Sequence, residues 1–249
     1  RHSSSAASDV YKRQVYKSSP FGVVSSFLIG ISHSAVFSLI AVYATSMNFS
    51  ILEVSIVTFL FAISGAISQW PIGKLSDVLD RRIVIIYTTF GAALFCFLAI
   101  ISSGQMYMPA GLATSKIFFY ICIMCFSFCS LPMFALIFAH TNDFIPKEKF
   151  VAAGAGLQFV FGLGAICGPF MCSLFMEFLG ENGFFIFLII FHSFIGLFGI
   201  YRMQIRESGD NPDSQFAPMP QTITPAGIEL NPSTEPIDEP NNLNEFKKI

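Results

Sequence analysis

The sequence predicts an all-α integral membrane protein with six spanning helices, and three observations predict it: composition, segment length and the placement of basic residues. Hydrophobic residues make up 53% of the chain and charged residues 12%, against roughly 25% charged in a soluble domain. Such a chain belongs in a bilayer. Six apolar stretches, at 21–46, 51–72, 83–103, 115–139, 151–176 and 184–201, are each long enough for a spanning helix, which needs to cross roughly 30 Å of hydrocarbon. Each run is apolar on both alternating faces, which excludes the short alternating strands of a membrane β-barrel.

Lys and Arg are confined to one set of connections. Lys12, Arg13 and Lys17 precede the first span; Lys74, Arg81 and Arg82 separate the second from the third; Lys147 and Lys149 follow the fourth; Arg202 and Arg206 follow the sixth. The other three connections carry none, and Lys116 alone departs from the pattern. The positive-inside rule then places both termini and the charged connections in the cytoplasm. The net charge of −2 is uninformative as a total; the partner expected is the lipid bilayer, and no nucleic acid is expected. All six cysteines fall inside predicted spans, so no disulfide framework is implied. Cys122, Cys125 and Cys129 share a helical face but lack a His or acid at ligand spacing, and read as small residues at a helix interface. No metal or cofactor is expected.

Taken in order, residues 1–17 are Ser/Ala-rich without the apolar core of a signal peptide, and read as non-native or read-through sequence outside the fold. The transmembrane unit is expected over 18–206. The first span opens at Pro20, a residue suited to a first helical turn. Ser26, Gly30 and His33 share one face at i, i+4 and i+7, with Ser34 and Ser38 adjoining, so this face should meet protein or a wet cavity. His33 reads either as a ligand for solute or proton, or as a neutral imidazole bonded to a neighbouring helix. Ser50 and Glu53 fit a capping box at the start of the second span. The third span is almost uniformly apolar, as a lipid-facing helix would be. The fourth carries Tyr120, Ser127, Ser130 and Pro132 and ends in His140, Asn142 and Asp143, which form a gate cluster or a helix-end cap. Lys116 at its outer end can snorkel.

In the fifth span Gly164 and Gly168 have the small-xxx-small spacing that lets helix backbones approach, and Pro169 is expected to kink the helix. The sixth is Phe-rich, with His192 read as a packing residue. Beyond it, 207–249 holds seven of the 13 prolines and eight of the 16 acids, and reads as a disordered acidic, Pro-rich cytoplasmic tail.

Residues 73–82 are the densest charge cluster between the first and last spans. There Gly73, Leu75, Asp77, Arg81 and Arg82 resemble the G-x-L-[AS]-D-x-x-x-R-[RK] loop of the major facilitator superfamily, which lies between the second and third helices of each six-helix half. Val78 and Asp80 depart from the usual pattern. With the flanking Gln69, Trp70, Pro71, the run from Ala139 to Asp143, and the tail residues Phe216, Ala217, Pro218, Met219, Pro220, Glu229 and Leu230, the chain is similar to the second half of bacterial transporters of the YcaD-like branch. That resemblance implies half of a 12-helix fold, built as two inverted three-helix repeats. It implies that spans one and four line the translocation cavity while spans three and six face lipid, and that an N-terminal six-helix half is missing.

The function implied is secondary active transport of a small organic solute by alternating access, with proton-coupled efflux as one form, in the bacterial inner membrane. Residues 73–82 are expected to act as a conformational latch in which Asp77 meets a helix N-terminus or a basic partner and Arg81 and Arg82 approach anionic headgroups. Ser26, Gly30, His33, Ser34 and Tyr120 are the candidate cavity or solute contacts; His140, Asn142 and Asp143 the candidate cytoplasmic gate; Gly164, Gly168 and Pro169 the helix-packing set. A sensor signalling through the tail is the alternative. An intramembrane enzyme is not expected, because it requires paired Asp, a Ser with a basic partner or an H-E-x-x-H metal motif inside the spans, and none is present.

Overall fold

The computed structural model describes residues 19–105, 112–209 and 216–218. The predicted N-terminal segment 1–17 and most of the predicted tail, including Met219, Pro220, Glu229 and Leu230, lie outside the described residues. The helices are α1 (Pro20–Ser46), α2 (Ile51–Val78), α3 (Arg81–Gln105), α4 (Leu112–Ser130), α5 (Met133–Asn142), α6 (Phe150–Leu179) and α7 (Gly183–Ile205), with a 3-10 turn at Lys147–Lys149. Helices α4 and α5 together make the fourth span, so six spans are long and apolar enough to cross a membrane. Their starts follow local chemistry. Ser19 Oγ accepts the Gly22 N–H ahead of Pro20, and Ser50 and Glu53 form the expected capping box, with Glu53 Oε2 accepting the Ser50 N–H at 2.8 Å. Gly180, at φ 69°, ends α6 in the left-handed region that favours glycine.

Span one packs on spans five and six, span four on spans two and three, and spans three and six on each other. Exchanging spans one to three with spans four to six leaves this pattern unchanged. Spans three positions apart in an alternating bundle run in opposite directions, so this is the packing pattern that two inverted three-helix repeats would give. The α1–α6 seam is a close backbone crossing. A Cβ on Gly30 would lie 2.2 Å from Phe161 O, one on Gly164 would lie 2.2 Å from Phe27 O, and one on Gly168 would lie 2.2 Å from Ile31 O. Bare backbones are required on both sides of this seam.

Three expectations change. The charged stretch 73–82 is mostly not a loop: α2 continues through Pro71 to Val78 and α3 begins at Arg81, leaving Leu79 and Asp80 as the turn. Lys74, Leu75, Ser76 and Asp77 are compatible with a helix, and polarity alone does not end one. Second, α6 stays helical through Pro169, where a kink was expected, and an outright interruption, which was not expected, falls at Leu131 and Pro132 in span four. A proline removes one backbone donor, and its neighbours decide whether the helix stays continuous. Third, span three is not simply a lipid-facing helix. Its Ala92, Cys96 and Ala99 are buried while Tyr87, Leu94 and Phe97 are exposed, because a uniformly apolar helix suits apolar protein as well as lipid.

Candidate functional site

At the charged end of the bundle, Arg81 opens α3 and turns into the protein. Its Nη2 donates to Asp77 Oδ1 at 2.9 Å, and its Nη1 to Asp143 Oδ1 at 2.5 Å and to Ala139 O at 3.1 Å. One guanidinium therefore joins the ends of spans two, three and four. Arg82 is clasped by Asp80: Nη2 donates to Oδ2 at 2.6 Å and Nε to Oδ1 at 3.1 Å, while Nη1 donates to Arg206 O at 2.6 Å. Both arginines are buried, at 7% and 8% exposure, so the expected headgroup contact is replaced by protein carboxylates. Bidentate guanidinium geometry against oxygen acceptors explains the choice.

Asp80, which departs from the family pattern, is also the N-terminal cap of α3, with Oδ1 accepting the Arg82 N–H at 2.9 Å. Partial burial alone would raise its carboxyl, but the hydrogen bonds from Arg82 outweigh burial and hold its pKa below the ordinary carboxylate value. Leu75 is half-exposed and its carbonyl caps the end of α2 through the Leu79 N–H. Gly73 faces Phe216, whose ring occupies the space a Cβ would need.

The three candidate gate residues separate. Asp143 belongs to the Arg81 cluster. His140 is buried between the edges of Phe21 and Phe144, each 5.1 Å away, and Asn142 is fully buried.

The candidate cavity residues also separate. Ser26 Oγ donates to Leu157 O on α6 at 2.8 Å, and Gly30 sits in the α1–α6 seam. His33 is buried with Nε2 3.1 Å from both Ser130 O and Ser130 Oγ. Ser26, Gly30 and His33 thus meet protein, while the adjoining Ser38 is exposed. Ser34 is half-buried beside Gly168, with Oγ donating to Ile31 O at 3.2 Å. Tyr120 stands at the opposite end from Arg81, against Phe49 and one turn beyond Lys116. There Lys116, read in sequence as able to snorkel, has Nζ 2.6 Å from Glu53 Oε1, an ion pair across spans two and four.

Sequence reasoning missed the group around Ser130, which sits where span four breaks. His192 Nδ1 lies 2.9 Å from Leu188 O and 3.2 Å from Ser32 Oγ, and its Nε2 lies 2.8 Å from Ser130 Oγ. A carbonyl only accepts, so the His192 proton is on Nδ1 and Nε2 accepts from the Ser130 hydroxyl. That hydroxyl has one proton, now committed, so it accepts from His33 Nε2–H, which also faces Ser130 O. A directed chain from His33 through Ser130 to His192 thus links spans one, four and six at the break. The findable signal was three mid-span polar residues in separate helices, each needing a partner in hydrocarbon.

Six apolar spans, tied at one end by buried Arg–carboxylate bonds, define a multi-pass, all-helical membrane protein. The chain belongs to the Major Facilitator Superfamily, whose family model matches residues 22–236. It is similar to the uncharacterized MFS-type transporter YE1530 of Yersinia enterocolitica, 23% identical over 201 residues, which cover 81% of this chain and 47% of that protein. It is also similar to the uncharacterized MFS-type transporter YfkF of Bacillus subtilis, 28% identical over 191 residues, covering 74% of this chain and 45% of that one. The chain spans about half the length of these relatives, at 47% and 45%. No solved structure matches the chain.

Proposed function

We propose that this chain is one six-helix half of a secondary active transporter that moves a small organic solute across the bacterial inner membrane by alternating access. The other half is a second six-helix unit, in keeping with the share of its relatives that the chain covers. The charged end, with Arg81, Arg82, Arg202 and Arg206 gathered there, is cytoplasmic by the positive-inside rule.

The observation that carries the reading is Arg81 bound to Asp143 at the far end of α5, whose ten residues separate it from a break in the same span. A short helix with a break at one end and an ionic tether at the other is a built two-state element. While Arg81 holds Asp143, α5 stays against α3. Release lets α5 turn about Leu131 and Pro132, opening the cytoplasmic end beneath the polar centre. Broken spans near the midplane are where transporters of this design bind their cargo. Ser34 and Tyr120 are the candidate solute contacts with open surface in this half, and His33 supports the centre from within. No Asp or Glu lies near the middle of a described span, so in proton-driven efflux a carboxylate carrier is either in the other half or absent.

The test compares the small-molecule content of cells expressing the intact transporter with that of cells expressing its Asp143→Asn form at equal membrane abundance, by untargeted mass spectrometry. Transport predicts at least one organic solute whose level changes with the wild type and not with the variant. Identical solute profiles would leave the tail-signalling sensor as the better reading.

A further inference from the structure

The chain leaves α7 at Arg206 yet stays on the charged end. Arg206 O accepts from Arg82 Nη1 at 2.6 Å, its guanidinium lies 4.2 Å over the Phe144 ring, and Gly209 lies so close that a Cβ would be 2.6 Å from Asp143 O. Phe216 then returns to α2. Its N–H donates at 2.9 Å to Asp77 Oδ1, the same oxygen that accepts from Arg81 Nη2. Its ring covers Gly73, where a Cβ would stand 2.2 Å from a ring carbon. The ring also packs on the apolar clusters that hold Ile72 of α2, Ala135 and Phe138 of α5 and Leu157 of α6.

We propose that residues 216–218 are an intramolecular strap, and that Gly73 and Asp77 are its receptor. The backbone N–H reads the carboxylate and the ring reads the missing side chain at Gly73. Docked, the strap bridges spans two, four and five over the Arg81 cluster and restrains α5. Undocked, it frees one acceptor position on Asp77 and bares the apolar groove, so tail and latch are coupled. Glycine is required at 73 by the ring above it, a demand that helix packing within the bundle does not impose. The effect on opening rests on the transporter reading; the docking does not.

Hydrogen exchange at the Phe216 amide in the intact reconstituted protein tests the docking without any solute. The amide should be protected, and Gly73→Ala should make it exchange about tenfold faster, the factor one charge-assisted hydrogen bond supplies. Phe216→Ala, which leaves every span untouched, should deprotect the 216 amide to the same degree. Exchange of the wild-type amide at the unprotected rate, or no change in either variant, would overturn the strap. Coupling is read from spin labels at Val78 and Glu148: Phe216→Ala should shift their distance distribution outward. An unshifted distribution with a protected wild-type amide would refute the coupling while leaving the transporter reading intact.

Discussion

Arg81 at the first turn of α3 and Asp143 at the end of α5, 62 residues apart in sequence, meet through an Nη1–Oδ1 contact of 2.5 Å with both side chains largely buried, at 8% and 12% exposure. Removing Asp143 takes the more buried of its two carboxylates from Arg81 and leaves Asp77 as the remaining one. Asp143→Asn should therefore cost about 1.5–3 kcal/mol of stability, the range of a charged hydrogen bond, read by reversible unfolding in mixed micelles. Asp77 is more exposed, at 37%, and screening by solvent should hold the stability cost of Asp77→Asn to about 1 kcal/mol or less. Equal losses from the two variants would mean that Asp143 is not the principal anchor.

Asp77 should have a larger effect on function than on stability. In the intact transporter Asp77→Asn should insert normally and lower the flux of whichever solute the profiling identifies. Unchanged flux at equal expression would remove Asp77 from the latch.

At the break in span four, Ser130→Ala deprives His192 Nε2 of its donor and takes one acceptor from His33. The expected loss is about 1–3 kcal/mol, and Ser130→Thr, which keeps the hydroxyl, should recover most of it. Because His33 Nε2 is committed to Ser130, His33→Gln should leave the pH profile of transport superimposable on the wild type. A displaced profile would make His33 a proton carrier instead.

Asp80 gives the charged end a defined acid response. Its folded-state pKa is lowered by Arg82, so its contribution to stability is present above the ordinary carboxylate pKa and is lost as pH falls through the lowered value. Asp80→Asn should flatten that acid limb of the stability curve. A limb of unchanged steepness would assign the acid response to other carboxylates.

The six spans were legible from hydropathy because bilayer thickness imposes a length, and the capping box at Ser50 and Glu53 was legible because its chemistry is local. The pairing of Arg81 with Asp143 was not: each residue was singled out, but their meeting depends on spans two, three and four sharing one end. Pro132 and Pro169 look alike in sequence, and only the contacts around them decide which interrupts a helix. His192 was read as packing, which its burial agrees with, yet its bonds to Ser32 and Ser130 needed the crossing of three spans to appear. The family departure at Asp80 was visible as an oddity, and its use became clear with Arg82 folded onto it.

The tether of α5 by Arg81 is tested most directly by pulsed electron paramagnetic resonance on the intact transporter in bilayers, with native cysteines replaced and spin labels at Val78 and Glu148. Both sites are exposed, on either side of the Arg81–Asp143 bond. A latch predicts that Asp143→Asn moves the distance distribution from a shorter to a longer population, with Arg81→Ala doing the same. Distributions superimposable on the wild type in both variants would contradict it.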